Sequence, residues 1–290
     1  MTSILLVYFS QGGTTARVAE AVAGGLRAKE REVDVCDLMS GPAPALDGYA
    51  ALGAGFPVHY FRPPFCITKF IQGLPDLAGL PVFVFLLHGT HAGDAGNMAR
   101  RALRRKGGRE TGYFKARGAD YYYEYVRRGY LFSPDNPIPA ELEAARSFGE
   151  SVAENIATGR THREPDDPPA APIYRMERLM TGRRATERIY SRLFRVRPDR
   201  CNACGLCTKV CPTRNITADA QGCPRWDRDC LLCLYCEMKC PREAIRSPVS
   251  WPLFSPFVNF NVWLARRNRA IQHVRVVQAK GRTRRLEDAT

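Results

Sequence analysis

Nine of the eleven cysteines fall between positions 201 and 240, eight of them in two runs of one design. Cys201, Cys204, Cys207 and Cys211 are followed by Pro212; Cys230, Cys233, Cys236 and Cys240 are followed by Pro241. Thiolates are soft, anionic donors that hold iron and zinc strongly. A zinc ribbon uses paired C-x2-C knuckles, and a disulfide framework belongs to oxidising compartments. Two runs of four, each closed by proline, fit iron–sulfur ligation instead. The runs repeat with a period of 29, and Ile216 returns as Ile245. This duplication predicts two similar half-modules with approximate two-fold symmetry and a shared core. Cys36, in a strand-like run, and Cys66, after two prolines, read as structural, and Cys223 lies outside the repeated pattern.

A second constellation occupies the first hundred residues. The apolar run ending at Phe9 leads into Ser10, Gln11, Gly12, Gly13, Thr14 and Thr15 and then a helical pattern. Backbone N–H groups near glycines, the positive end of a helix and three hydroxyls make an anion site suited to a terminal phosphate. Two further loops follow strand-like runs. Phe56, Pro57, Val58, His59 and Tyr60 supply aromatic surface, and Gly89, Thr90, His91, Gly93 and Gly96 can bring backbone amides to a flat ring. Gly53-Ala54-Gly55 lacks the third glycine of a dinucleotide fingerprint. His88 and His91 have no third ligand nearby in sequence, so metal is not expected there.

These groups need a frame. Residues 1–159 alternate apolar runs with helical patterns, which predicts a doubly wound α/β domain with a parallel five-stranded sheet. The strands are expected at 4–9, 33–38, 50–54, 81–88 and about 113–119. Helices follow the first, third and fourth, and a last one is expected near 140–157. In the order 2-1-3-4-5 a ligand lies between strands one and three, where the three loops converge. Residues 160–196 read as a linker, Pro-rich and charged to 172, and then two short amphipathic helices whose apolar faces should pack between domains. Residues 197–247 hold the cysteines. Residues 248–290 form an aromatic, arginine-rich extension.

On these residues the first part resembles a flavodoxin and residues 201–247 a bacterial two-cluster ferredoxin; together they resemble flavodoxin–ferredoxin fusion proteins. The resemblance implies a flavodoxin-like sheet binding FMN and a small α+β ferredoxin-like domain binding two [4Fe-4S] clusters. It also implies crossed ligation, with Cys201, Cys204, Cys207 and Cys240 on one cluster and Cys230, Cys233, Cys236 and Cys211 on the other. The expected function is electron relay between clusters and FMN. The alternatives are a ferredoxin-fed flavoenzyme reducing a small acceptor such as a quinone, and a cluster-only carrier with an empty flavodoxin-like module.

The formal charge of +14 gathers in residues 160–200 and in the tail. Bound cofactors would lower it by about 6, and no nucleic-acid-binding motif occurs, so nucleic acid is not expected as a partner. An acidic redox protein is the expected partner, and the basic tail also suits an anionic membrane surface. Without a leader-like start or an apolar run of roughly 18–20 residues, the expected location is the cytoplasm.

Overall fold

In a computed structural model, which describes residues 3–279 and 282–286, the apolar runs of the first part form one parallel sheet. In chain order its frame is β1 (Ile4–Tyr8), α1 (Thr14–Arg27), β2 (Val33–Asp37), β3 (Ala51–Pro57), α2 (Phe65–Gly73), β4 (Pro81–His88), α3 (Ala95–Arg105) and β5 (Arg109–Arg117). The strand order β2-β1-β3-β4-β5 is the one expected. β5 begins four residues before its expected start, and β3 runs on to Pro57. β1, β3 and β4 are buried almost throughout, as befits strands covered by helices on both faces.

Two short elements follow, α4 (Tyr123–Arg127) and β6 (Tyr130–Phe132), and then α5 (Pro139–Ala157) returns to the sheet. Ile4, Leu6, Val18, Val22, Leu26, Phe83, Phe85 and Val152 share one core cluster. α1 and α5 approach closely over it. A Cβ on Gly25 would fall on the Arg146 carbonyl, and one on Gly149 on the Val22 carbonyl, so both crossing points require glycine.

The chain divides into two compact units at points other than the expected boundaries. The first comprises residues 1–119 and 135–178; the second comprises 120–134 and 179–290. The excursion from 120 to 134 leaves and re-enters the first unit at one place, where the Ala119 N–H donates to the Asn136 carbonyl at 3.1 Å.

The expected linker is not free chain. Residues 160–171 have no regular structure, yet they lie as a strap on the first unit before α6 (Pro172–Met180). The His162 N–H donates to the Glu110 carbonyl at the open edge of β5. Arg100, 1 % exposed, bonds Glu110 at 2.7 Å and the carbonyls of Glu164 and Pro165. Asp167 accepts from Tyr113 at 2.5 Å, pairs with Lys115 and exchanges two bonds with Asn97. Charge satisfied by buried partners, which composition does not reveal, turns a linker-like sequence into fixed structure. Of the two expected helical faces, Met176, Leu179 and Met180 are exposed, whereas Tyr190, Leu193 and Phe194 are half-buried.

The second unit continues with α7 (Arg183–Arg188), β7 (Arg195–Val196), α8 (Leu206–Lys209), β8 (Ile216–Ala218), β9 (Pro224–Trp226), α9 (Tyr235–Met238), β10 (Ile245–Arg246), α10 (Ser255–Arg267), β11 (His273–Ala279) and β12 (Arg282–Arg285). The sequence period of 29 is written into its backbone. α8 recurs as α9, the antiparallel pair β7–β10 mirrors β9–β8, and left-handed residues recur in pairs: Ala203 and Leu232, Gly205 and Leu234, Arg214 and Glu243. A second core joins the excursion to the extension, with Tyr125 and Phe132 packed among Val258, Val262, Ala265 and Ile271, and β6 pairs with β11. Glu124, 1 % exposed, is ion-paired to Arg127 and Arg128 and bonded by Ser250 at 2.8 Å. Tyr122 and Tyr125 therefore pack in this unit. Among the described residues no helix is long and apolar enough to cross a membrane.

Candidate cofactor sites

The cysteines of the two runs interleave. Cys211, from the first run, lines one apolar hollow together with Cys230, Cys233 and Cys236 of the second. Cys240, from the second run, lies close enough to Cys207 to perturb it, as does Cys204. Phe194 and Trp226 stack at 4.9 Å and 13°, and with Ile216 and Ile245 they cover Cys207, Cys211, Cys236 and Cys240.

Backbone N–H groups point at the sulfurs in a repeated way. Asn215 donates to Cys211 and Ala244 to Cys240, both at 3.3 Å and both four residues beyond the cysteine; Leu232 donates to Cys230 at 3.3 Å. Such bonds favour a thiolate. Burial opposes it, pushing Cys207 up to about 11, Cys233 up to about 12, and Cys230 and Cys236 well up. Without metal these thiols hold their protons, and a cationic core is what would stabilise them as thiolates. Four sulfurs from two separate segments around one apolar hollow fit the donor set of an iron–sulfur cubane. Among the described residues no three His, Cys, Asp or Glu side chains close on a single-ion site.

Cys223 stands beside Cys201, and desolvation, Asp219 and then Cys201 hold its thiol above the usual range. By the 29-residue relation its counterpart is Phe194, so the other half-module has no cysteine at this position. Cys36 and Cys66 lie in the first unit.

In the first unit, the turn between β1 and α1 ends on Gly13 in the left-handed conformation, φ 85°. Nothing lies near the position of a Cβ there, so the turn is open. The Ser10 hydroxyl accepts from the Ala16 N–H at 3.2 Å, leaving its own proton to donate. The amides of Thr14, Thr15 and Ala16 belong to the first helical turn, which has no intrahelical acceptor for them. Gln11, Gly12 and Thr14 line this turn; the Thr15 side chain is buried, so its contribution is its amide.

The loop after β3 is a tight hairpin. His59 and Arg62 exchange both backbone bonds at 3.0 Å, which forces Tyr60 and Phe61 to positive φ, 46° and 60°. Two such residues with side chains in a two-residue turn are strained, a conformation retained where surrounding contacts over-determine it. Pro57 and Val58 continue β3 towards β4, with the Val58 N–H on the Leu87 carbonyl. Phe56 is not available as an aromatic surface: it is fully buried in the sheet's core. The His59 ring packs edge-on to Phe9 at 5.9 Å, with Nδ1 shielded and unbonded. Burial and the neighbouring Arg62 bring its pKa down to about 4.

The loop after β4 carries Gly89, Thr90, His91 and Gly93. Gly96 lies inside α3 and is filled from one side, since a Cβ there would meet the Tyr113 hydroxyl; its role is packing. The two loops are held by residues the sequence did not single out. Phe61 stacks on Tyr174 of the strap helix at 4.3 Å and 18°, and the Tyr174 hydroxyl lies 3.3 Å from His91 Nε2. Arg178 pairs with Asp94 at 2.5 Å and donates to the Phe61 carbonyl, while Arg62 donates to the Arg178 carbonyl. Burial pushes the adjacent Glu177 carboxyl up to about 7, partly offset by Arg62. These contacts join residues more than eighty positions apart, beyond the reach of local pattern.

Comparison with known proteins finds two family models in the chain. Residues 5–127 match a family model described as a flavodoxin domain, and residues 194–217 match one described as a 4Fe-4S binding domain. The chain is similar to a flavodoxin from the domain Archaea, at 17 % identity over 54 % of this chain and 99 % of that one, with a TM-score of 0.41. It is similar to oxidised flavodoxin 1 from Bacillus cereus, at 18 % identity over 53 % and 98 %, with a TM-score of 0.41. The flavodiiron core of Flv1 from Synechocystis sp. PCC6803 aligns at 17 % identity over 55 % of this chain and 37 % of that one, with a TM-score of 0.44. No curated protein matches the chain in sequence.

Proposed function

We propose, from a chain that joins a flavodoxin domain to a 4Fe-4S binding domain in the order of a flavodoxin–ferredoxin fusion, that two [4Fe-4S] clusters and one FMN exchange electrons within a single molecule. The observation that carries this reading is the crossing of the cysteine runs, Cys211 with Cys230, Cys233 and Cys236, and Cys240 with Cys204 and Cys207. Clusters supply single electrons and a flavin holds one or two, so the pair links one-electron and two-electron carriers.

The residues would act as follows. Each cysteine set holds one cluster, and Phe194 and Trp226 keep water from the sulfurs. The first turn of α1, with Ser10 and Thr14, holds the terminal phosphate. The hairpin at 59–62 and the loop at 89–94 flank the ring, where neutral His59 offers an uncharged hydrogen-bonding nitrogen. A terminal phosphate without a second nucleotide site favours FMN over FAD. The donor is expected to be an acidic one-electron redox protein, drawn to the basic character of residues 160–200.

Anaerobic purification with iron, sulfide and flavin analysis tests the composition; about eight irons and one FMN per chain are expected. Gly12→Asp with Thr14→Ala should abolish flavin binding and leave the clusters. Relay is tested by rapid mixing with a low-potential donor. Cluster bleaching should precede flavin reduction at a rate independent of protein concentration. Mixing the flavin-free variant with a variant lacking clusters should make the same transfer slower and dependent on concentration. Equal behaviour of the mixture and the intact protein would overturn the relay.

A further inference from the structure

α10 buries one face and leaves the opposite one bare. Val258, Asn261, Val262 and Ala265 point into the core shared with Tyr125, Phe132 and Ile271. Phe260 and Trp263 are 44 % and 48 % exposed, and Leu253, in the turn before the helix, is 80 % exposed. These apolar groups are ordered. Phe260 stacks on Trp263 at 5.9 Å and 21°, and the Arg267 guanidinium lies 3.7 Å from the Trp263 ring centroid. Pro256, Phe260, Trp263 and Arg267 follow the helical spacing, so aromatic surface and cation share one stripe.

The stretch of sequence that contains the stripe carries charge of one sign. From Ala244 to Leu286 the sequence contains no Asp or Glu and nine Lys or Arg. Arg266 packs over Tyr130, and Arg267 over Trp263, which holds both cations beside aromatic rings.

We infer that the exposed face of α10, with Leu253, docks this protein on an anionic lipid bilayer surface. Tryptophan and phenylalanine settle at the level of lipid headgroups, and arginines beside them meet lipid phosphates. A helix whose other face is fixed in a protein core lies in the plane of that surface without crossing it. An acidic protein would satisfy the arginines equally. It would need a pocket for Leu253 and the stacked rings, whereas the acyl boundary of a bilayer accepts them without a matching shape. Nucleic acid would leave Leu253 without a partner.

The test is cosedimentation of the full-length, cofactor-loaded protein with vesicles of phosphatidylcholine alone and with one-third phosphatidylglycerol, at low and high salt. Binding to the anionic vesicles, weakened by salt, is expected, with little binding to neutral ones. Phe260→Ala with Trp263→Ala should weaken partition about tenfold or more while leaving the cluster and flavin absorption unchanged, which controls for folding. Of the three tryptophans, Trp263 should be the one quenched by brominated lipid, so Trp263→Phe removes that quenching. Absence of binding to anionic vesicles overturns the inference. So does binding that the double variant leaves intact, which would assign the attraction to the arginines alone. Self-association through this face, lost in the double variant, or protection of Trp263 by an acidic redox protein but not by vesicles, would assign the face to a protein contact and overturn it as well.

Discussion

At the scale of single residues, the cysteines were the most legible part of the sequence, because ligand chemistry demands both a residue type and a spacing. Cys207→Ser should remove or convert one cluster, while Cys223→Ser should keep about eight irons, since Cys223 corresponds to Phe194 in the other half-module; iron analysis and electron paramagnetic resonance check both. The flavin loops were legible in outline only. Phe56 and Gly96 carry suitable residue types, yet packing assigns them to the core, and no local pattern distinguishes an aromatic that lines a site from one that fills a sheet. His59 makes a prediction with a sign. Its folded pKa lies below the unfolded value, so the native state resists protonation, and stability should fall by about 1.4 kcal/mol per unit as pH drops from 6.5 towards 4. Glu177 is raised to about 7 and works in the opposite sense, its burial penalty growing as pH rises from 4.5 through 7. Denaturant titrations of His59→Asn and Glu177→Gln should each lose the dependence in its own window. An unchanged profile in either variant would assign that dependence to other groups.

At the scale of elements, hydrophobic periodicity was enough for the sheet and its order, and it failed where polar groups do the work. β1, β3 and β4 are apolar runs that only burial on two faces can satisfy, so they stood out. The start of β5, Arg109-Glu110-Thr111, is polar and looks like loop; it is a strand because Glu110 meets Arg100 and Arg104 and Thr111 bonds the Val82 carbonyl. The strap escapes local pattern for the same reason, since charges met by buried partners look in sequence like charges met by water. Arg100 is central to it. Arg100→Met should cost about 3 kcal/mol, because Glu110 would keep only Arg104 while the carbonyls at 164 and 165 lose their donor. Thermal unfolding measures the loss. Cleavage by protease within residues 160–172 should accelerate in the same variant, and resistance equal to the parent's would mean that Asp167 and its partners suffice to hold the strap.

At the scale of the whole molecule, residues 120–134 decide how the chain is organised. The run Tyr121-Tyr122-Tyr123-Glu124-Tyr125 gave no sign in sequence that its partners lie more than 130 positions away, in Val258, Val262 and Ile271. A fragment of residues 1–178 should therefore expose Tyr125 and Phe132 and associate. Replacing 120–134 in that fragment by a short turn should restore a monodisperse flavin-binding protein, since the Ala119 to Asn136 bond brings the two ends together; sedimentation and flavin content decide it. The same excursion means that the peptide chain passes between the two units three times, at 119–120, 134–135 and 178–179. A single nick therefore cannot part them: protease-cut protein should migrate as one species on a native gel and as two on a denaturing one. A lineage that split this gene at one point would leave at least one of the two polypeptides without part of its own unit, 135–178 for the first or 120–134 for the second, so the joining of carrier and clusters is difficult to reverse by one genetic event.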